Sequence, residues 1–258
     1  MVMRTYDGSA GDVDYAGIGA GYSSYRRPDE RIARAIALAL GDAREVLNVG
    51  AGTGSYENPG HTITAVEPSL AMRAQRPAQL ATAIDAVAED LPFADGQFDA
   101  SMALFSVHQW SDAEAGLREM RRVTRGPVAV LTCDPTLVRD FWLYDYAPDV
   151  LDTEARRYPR LNTLAEALGG TVTVEPVPIP LDCTDGFNEA YYGRPEMLLD
   201  PAARQACSAW SFIGDQARQE FDTSLRRALG SGAWDEAFGP LRHRPTYNGS
   251  LVLLRATP

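Results

Sequence analysis

The sequence predicts an α/β fold built on a doubly wound sheet of parallel strands. Two apolar runs, over 46–49 and 63–66, flank a glycine-rich turn, and the second run ends on an acid, Glu67. Nearly continuous apolar runs of this length are typical of parallel strands that are buried on both faces. Strand-like and helix-like patterns then alternate along the chain, which indicates parallel strands joined by helical crossovers.

The elements follow one another in a regular order. Pro28 opens a helix with apolar residues at helical spacing, and Gly41 ends it. Further helices are predicted over 68–76, 112–124 and 136–168, and further strands over 82–88, 100–105, 126–135, 171–180 and 247–256. We therefore expect an N-terminal segment over 1–27, a core over 28–180, a helical insertion over 181–246 and a final core strand within 247–258.

The turn after the first strand carries glycines at alternate positions, Gly50, Gly52 and Gly54. Glycine allows a sharp turn and lets the backbone approach a ligand closely. An acid at the tip of the next strand, here Glu67, can accept hydrogen bonds from both hydroxyls of a ribose. Together these features predict a site for a nucleotide-type cofactor.

The glycine spacing argues against a dinucleotide. The dinucleotide fingerprint G-x-G-x-x-G leads into a helix that receives the pyrophosphate. Here the spacing is G-x-G-x-G, and only residues 55–61, which include Pro59 and Gly60, separate the loop from the second strand. A nucleotide-dependent oxidoreductase is therefore the less favoured alternative.

The run VLNVGAGTG followed by AVEPS resembles the first two motifs of class I S-adenosylmethionine-dependent methyltransferases, and AEDLPF resembles the adenine-binding stretch of the ubiquinone- and menaquinone-type members. The resemblance covers residues 22–135. It implies a Rossmann-like seven-stranded sheet with helical insertions that form a cap, S-adenosylmethionine as the cofactor, and methyl transfer to a small-molecule acceptor. A protein of the same fold that binds S-adenosylmethionine without transferring its methyl group stays open, because binding and transfer use the same residues.

The resemblance also implies which residues contact the cofactor, with residues 1–27 as a lid. They are Tyr22, Asn48, Gly50, Ala51, Gly52, Thr53, Gly54, Glu67, Pro68, Ala88, Glu89 and Phe105. Two positions depart from the family pattern: Asn48 stands where many members carry aspartate, and Val87 stands where an acid is common. Asparagine keeps an acceptor that can orient the glycine loop but loses the negative charge.

His108 is the candidate general base. It follows the fourth predicted strand by a few residues, and an imidazole titrates near neutral pH. A base favours O- or C-methylation over methylation of an amine that is already nucleophilic. Candidates for binding the acceptor are Tyr25, Trp110, Phe141, Tyr191, Tyr192 and Arg194. For His108 a structural role is equally open, and for each of the others so is simple packing between helices.

Composition limits the partners. The formal net charge of −11 and the pI of about 4.8 disfavour a nucleic-acid substrate. The three cysteines are far apart and show no metal-ligand spacing, so we expect no metal. No run of 18 apolar residues is present and the N-terminal sequence is polar, so we expect a cytoplasmic protein with no membrane segment, as a monomer or homodimer.

Overall fold

The computed structural model describes residues 22–258, and these divide into two compact units. Residues 30–134, 158–177 and 251–258 form the first, which we call the core unit. Residues 22–29, 135–157 and 178–250 belong to the second, the insertion unit. Residues 135–157 therefore group with the long insertion and not with the strands that precede them.

The described helices and strands are as follows. The helices are α1 Tyr22–Tyr25, α2 Glu30–Leu40, α3 Leu70–Ala74, α4 Ala113–Val123, α5 Pro148–Arg157, α6 Leu161–Leu168, α7 Pro201–Gln205, α8 Asp215–Ser231 and α9 Ala233–Phe238. The strands are β1 Glu45–Val49, β2 Thr62–Val66, β3 Ala100–Leu104, β4 Val128–Cys133, β5 Thr171–Pro176, β6 Ile179–Pro180, β7 Thr246–Tyr247 and β8 Leu251–Thr257.

The core unit is organised around a six-stranded sheet of order β2-β1-β3-β4-β8-β5. The strands β1 to β4 run parallel, whereas β8 runs antiparallel to both β4 and β5. Val49 pairs with Val66 at the carboxyl ends of β1 and β2. Because the two strands end in register, the glycine turn after β1 lies beside Glu67 after β2.

Burial explains why these segments become strands. Every residue of β3 except its last, and every residue of β4, is buried, as a central strand covered on both faces requires. The helix α4 packs Leu117, Met120 and Val123 into the same apolar cluster as Leu47 and Val49. The strand β5 is mostly exposed, which fits its place at the sheet edge.

The α/β fold is confirmed, with three corrections. The sheet has six strands where seven were predicted, because 82–88 contributes only an isolated bridge from Ile84 to Val66. Thr82, Ile84 and Asp85 are exposed there, so little burial rewards a longer edge strand. The sheet is also not wholly parallel. The final strand begins at Leu251 and not at Tyr247, because Tyr247 pairs with Ile179 in a separate two-stranded ribbon.

The insertion unit is mainly helical and has its own apolar interior. Trp142 packs its ring edge-on against Trp234, whose side chain is fully buried. The predicted helix over 136–168 is divided into two 3₁₀ turns and the helices α5 and α6, and α6 belongs to the core unit. Among the described residues, no helix is both long enough and apolar enough to span a membrane.

Candidate cofactor site

The loop after β1 adopts a conformation that suits glycine at each alternate position. Gly50, Gly52 and Gly54 have φ angles of 68°, 52° and 94°, in the left-handed region. A Cβ on Gly50 would lie 2.6 Å from the Ser106 Cβ, and a Cβ on Gly54 would lie 2.3 Å from the Leu80 Cδ1. The loop is therefore closely packed at Gly50 and Gly54, and the left-handed φ favours glycine at all three positions.

Gly52 differs from its two neighbours in what surrounds it. A Cβ there would meet only the flexible end of Met72, at 3.6 Å. The Gly52 N–H instead donates to Glu67 Oε2 over 2.8 Å. The middle of the loop thus leaves room next to the Gly52 Cα.

Glu67, the acid that the sequence predicts to bind a ribose, is buried and hydrogen-bonded to the glycine loop. Its side chain follows β2, it is 7% exposed, and its Oε1 accepts a 2.8 Å hydrogen bond from the Ser69 N–H. Burial raises the pKa of Glu67, while the N–H groups of Ser69 and Gly52 favour its charged form. Each carboxylate oxygen has two lone pairs, so both can still accept from a ligand hydroxyl.

Asn48 lies behind the loop, at the end of β1. It is 2% exposed, and its Nδ2 donates over 3.0 Å to Glu57 Oε1. Glu57 in turn pairs with Arg76, its Oε2 lying 2.8 Å from an Arg76 nitrogen. The side chain at position 48 therefore acts as a donor to a buried carboxylate.

The predicted adenine stretch lies next to the start of α4. Ala88 is buried and would contact a Cβ placed on Gly116, at 3.0 Å. Glu89 Oε1 accepts a 2.9 Å hydrogen bond from the Asp112 N–H. One oxygen of Glu89 is thus already bonded within the protein, and Val87 beside it is 45% exposed.

Two residues directly after β3 are important here: Phe105, which the sequence predicts as a cofactor contact, and Ser106, which the sequence argument missed. Phe105 has a φ of 52°, and its N–H donates to the Leu131 carbonyl over 2.9 Å. Ser106 follows, and its Oγ donates to the Val49 carbonyl over 3.0 Å, so it joins the end of β3 to the end of β1. The only sequence signal for this role is a small polar residue directly after a buried strand.

His108 and Trp110 are both buried in the core unit. His108 is 6% exposed in a 3₁₀ turn, and its ring centroid lies 4.6 Å from that of Tyr158. Trp110 belongs to the main apolar cluster, and a Cβ on Gly116 would lie 2.6 Å from its ring. Trp110 therefore packs between the sheet and α4.

The remaining predicted acceptor residues lie in the insertion unit. The Tyr25 hydroxyl donates to Asp200, and the Tyr192 hydroxyl donates to the Arg244 carbonyl. Arg194 donates to two backbone carbonyls and stacks over Tyr191. Phe141 is also buried, at 2% exposure. For Tyr22 the structure describes the backbone helix α1 only.

The insertion unit also holds a network of buried ionisable groups that the sequence argument did not identify. Asn188 Nδ2 donates to Glu154 Oε1 over 2.8 Å, and Arg26 pairs with Asp185. Burial, together with repulsion from Glu189, raises the pKa of Glu154 to about 7. No group of three or more His, Cys, Asp or Glu residues in the described chain is arranged to hold a metal ion.

Comparison with known proteins supports the cofactor interpretation. Residues 47–129 match the methyltransferase domain family. Demethylmenaquinone methyltransferases are similar: that of Mycolicibacterium paratuberculosis is 32% identical over 139 residues, which are 52% of this chain and 59% of that protein. That of Mycolicibacterium vanbaalenii is 36% identical over 102 residues, 38% of this chain and 45% of that protein. The chain thus spans about half the length of these curated relatives.

Solved structures extend the match to nearly the whole chain. A proposed methyltransferase from an antibiotic biosynthesis pathway of Anabaena variabilis is 30% identical, with a TM-score of 0.85 over 92% of this chain and 100% of that one. An S-adenosylmethionine-dependent methyltransferase from Thermotoga maritima shares the fold alone, at 17% identity and a TM-score of 0.50 over 92% of this chain and 88% of that one. With the glycine loop and Glu67 in place, the chain belongs to the class I S-adenosylmethionine-dependent methyltransferases, and S-adenosylmethionine is the cofactor that this membership implies.

Proposed function

We propose that the protein transfers the methyl group of S-adenosylmethionine to a small, partly apolar acceptor, at an oxygen or a carbon atom. The observation that carries the proposal is the Glu67 carboxylate, which lies beside the Gly52 N–H at the tip of β2. A carboxylate with free lone pairs next to an open glycine backbone is suited to an adenosyl group. When bound, the cofactor supplies an electrophilic methyl group on its sulfonium.

The protein's own residues then have the task of binding and orienting. Glu67 accepts from the ribose hydroxyls, and the loop of Gly50, Gly52 and Gly54 gives the ligand access to the backbone. Ala88 and Glu89 flank the adenine in this proposal. Orientation of two reactants is itself a large part of catalysis for a displacement reaction.

His108 is the proposed base that removes the acceptor's proton. Its support is its place four residues beyond the end of β3, on the same sheet edge as the glycine loop. General base catalysis contributes on the order of a hundredfold or more. We expect His108→Asn to lower kcat by about a hundredfold with unchanged binding of S-adenosylhomocysteine. An unchanged kcat would assign His108 to packing against Tyr158.

The acceptor class rests on the relatives. Two similar proteins are named demethylmenaquinone methyltransferases, and the acidic charge of this chain disfavours nucleic acids. We propose an acceptor with a hydroxylated or quinol-like ring. Tyr25, Trp110, Phe141, Tyr191, Tyr192 and Arg194 remain the proposed acceptor residues, although those in the insertion unit have partners within that unit.

The direct test is calorimetry followed by an acceptor screen. The protein is titrated with S-adenosylmethionine, S-adenosylhomocysteine and NAD. It is then incubated with S-adenosylmethionine and hydroxylated naphthalene and benzene derivatives while S-adenosylhomocysteine is measured. Binding of the first two ligands with acceptor-dependent turnover supports the proposal. Binding without turnover on any acceptor supports the alternative, a protein that binds S-adenosylmethionine without transferring its methyl group. Binding of NAD alone contradicts the proposal.

A further inference from the structure

Gly52, the central glycine of the loop, has an anionic partner for its N–H and a cationic partner for its carbonyl. Its N–H donates to the Glu67 carboxylate over 2.8 Å, and its carbonyl accepts from Arg76 over 3.3 Å. The N–H belongs to the Ala51–Gly52 peptide group and the carbonyl to the Gly52–Thr53 peptide group, and either group can rotate readily in a glycine-rich turn. The Glu67 anion orients the first group, and the Arg76 cation orients the second.

Arg76 connects the loop to two other segments through its planar guanidinium. One of its terminal nitrogens donates to both carboxylate oxygens of Glu57, over 2.9 and 2.8 Å, and to the Ala81 carbonyl over 3.0 Å. Its Nε also donates to the Ala81 carbonyl. Only arginine offers this many donors in a fixed plane.

The ion pair that carries these contacts is buried. The side chains of Arg76 and Glu57 are 4% and 1% exposed. Removing one partner of such a pair leaves an uncompensated charge, so the pair resists loss even where its net contribution to folding is small. The position of the Gly52 carbonyl therefore depends on the buried ion pair of Arg76 and Glu57.

The contact between Asn48 and Glu57 explains why position 48 carries an amide. Its amide donates to Glu57 Oε1 over 3.0 Å, and it is 2% exposed. An aspartate at position 48 would set a second carboxylate against Glu57 in a buried place, which is strongly unfavourable. The amide is therefore required by Glu57, and the buried negative charge behind the loop belongs to position 57.

We propose that Arg76, Glu57 and Asn48 are positioning residues that fix the Gly52–Thr53 peptide group and so prepare the loop for the adenosyl cofactor. The inference deepens the cofactor site proposed above and depends on it. A loop that is already ordered loses less conformational freedom on binding, so these residues raise cofactor affinity through the loop that they order.

The decisive experiment is a double-mutant cycle on Asn48→Asp and Glu57→Gln. Each variant is measured twice: by thermal unfolding without ligand and by calorimetry with S-adenosylhomocysteine. We expect each single variant to bind about tenfold more weakly or worse, because one creates a buried acid pair and the other removes the partner of Arg76. The double variant exchanges donor and acceptor, so it should bind about tenfold more tightly than the two single effects combined predict.

Asn58→Asp is the matched control. It is the same chemical change on the same loop, but Asn58 is exposed and its Oδ1 accepts from the Gly60 N–H, which a carboxylate also does. Affinity and melting temperature should stay within about twofold and about 2 °C of the unchanged protein. A loss as large as that of Asn48→Asp would show a general effect of charge and would overturn the inference.

Arg76→Lys separates positioning from simple stability. Lysine keeps the charge beside Glu57 but loses the planar set of donors that reaches Gly52. We expect affinity for S-adenosylhomocysteine to fall by about tenfold while the melting temperature falls by only about 3 °C. A fall in melting temperature with unchanged affinity would assign Arg76 to folding alone.

The outcomes distinguish the two proposals. If the unchanged protein binds no S-adenosylhomocysteine, the cofactor site itself fails. If it binds and the effects of Asn48→Asp and Glu57→Gln are merely additive, the positioning inference fails and the cofactor site stands. Should Asn48→Asp not fold, recovery of folded protein in the double variant supports the inference, and loss of folding in both overturns it.

Discussion

Two glutamates, the buried Glu67 of the core unit and the half-buried Glu154 of the insertion unit, are held in different ways. Glu67 in the core unit accepts hydrogen bonds from two backbone N–H groups, of Gly52 and Ser69. Glu154 in the insertion unit accepts one from the Asn188 amide and experiences repulsion from Glu189. Burial raises the pKa of both carboxyl groups. Two backbone N–H donors favour the charged form of Glu67, whereas a single side-chain amide favours that of Glu154.

The difference shows how one residue type serves two purposes. The surroundings of Glu67 are backbone groups fixed by glycine conformation, so its geometry depends on the shape of a loop. The surroundings of Glu154 are side chains of both charges, the anion Glu189 and the cations Arg26 and Arg157, so the interactions of Glu154 depend on whether it is protonated. We therefore expect the cofactor site to be sensitive to steric changes and the insertion unit to be sensitive to pH.

The largest expected effect is steric, from Gly50→Ala. The new Cβ would lie 2.6 Å from the Ser106 Cβ, at a φ of 68°. Left-handed strain and overpacking together should cost about 3 to 4 kcal/mol of unfolding free energy. Binding of S-adenosylhomocysteine should be lost at micromolar concentrations. Urea denaturation followed by circular dichroism, together with calorimetry, measures both effects.

Gly41→Ala is the control, because it separates strain from collision. Gly41 has a similar φ of 64°, and nothing lies within 4 Å of a Cβ built there. It should cost only about 1 kcal/mol and leave binding unchanged. Equal losses of stability in the two variants would show that collision with Ser106 contributes nothing. The expectation that the cofactor site is especially sensitive to steric changes would then be wrong.

The pH response of Glu154 is the second prediction. An acid whose folded pKa is about 7, against an ordinary 4.5, stabilises the fold at low pH, and this contribution is lost as pH rises through 7. The contribution of Glu154 to the unfolding free energy should therefore fall by about 3 kcal/mol between pH 4.5 and pH 8. Glu154→Gln, which can still accept from Asn188, should remove most of this slope.

Glu220→Gln is the matched control for that experiment. Glu220 also accepts from a side-chain amide, that of Gln216, but it lies exposed on α8. The slope of stability against pH should stay as in the unchanged protein. A slope that persists in Glu154→Gln would assign the pH response to another group.

The sequence predicts the core of the site better than its support. The strands β1 and β2 and the position of Glu67 follow from local patterns, because apolar runs and glycines act over few residues. The missing strand over 82–88 depended on burial at the sheet edge, which a local pattern does not contain. Likewise Arg76 and Glu57 are ordinary surface residues in sequence, and only the fold brings them behind Asn48.

Glu67→Ala tests the carboxylate itself. Loss of the acceptor for the ribose hydroxyls should weaken S-adenosylhomocysteine binding by about 10- to 100-fold, or about 1 to 3 kcal/mol. Glu67→Gln keeps one acceptor oxygen and should lose less. Calorimetry at pH 7.5 measures both variants. If Glu67→Ala bound as tightly as the unchanged protein, Glu67 would not belong to the cofactor site.

The smallest expected effect comes from Ser106→Ala, which removes the hydrogen bond to the Val49 carbonyl. A single buried hydrogen bond contributes about 1 kcal/mol. Ser101→Ala is the matched control, because Ser101 is a fully buried serine on β3, the strand that precedes Ser106, and its Oγ accepts from Thr124, away from the glycine loop. Both variants should lose similar stability in urea denaturation. Only Ser106→Ala should also weaken S-adenosylhomocysteine binding, by about threefold, because it alone loosens the contact behind Gly50. Equal affinity in the two variants would mean that the loop holds its shape without the end of β3, and that its own glycines, Glu67 and the segment behind Asn48 are sufficient to position it.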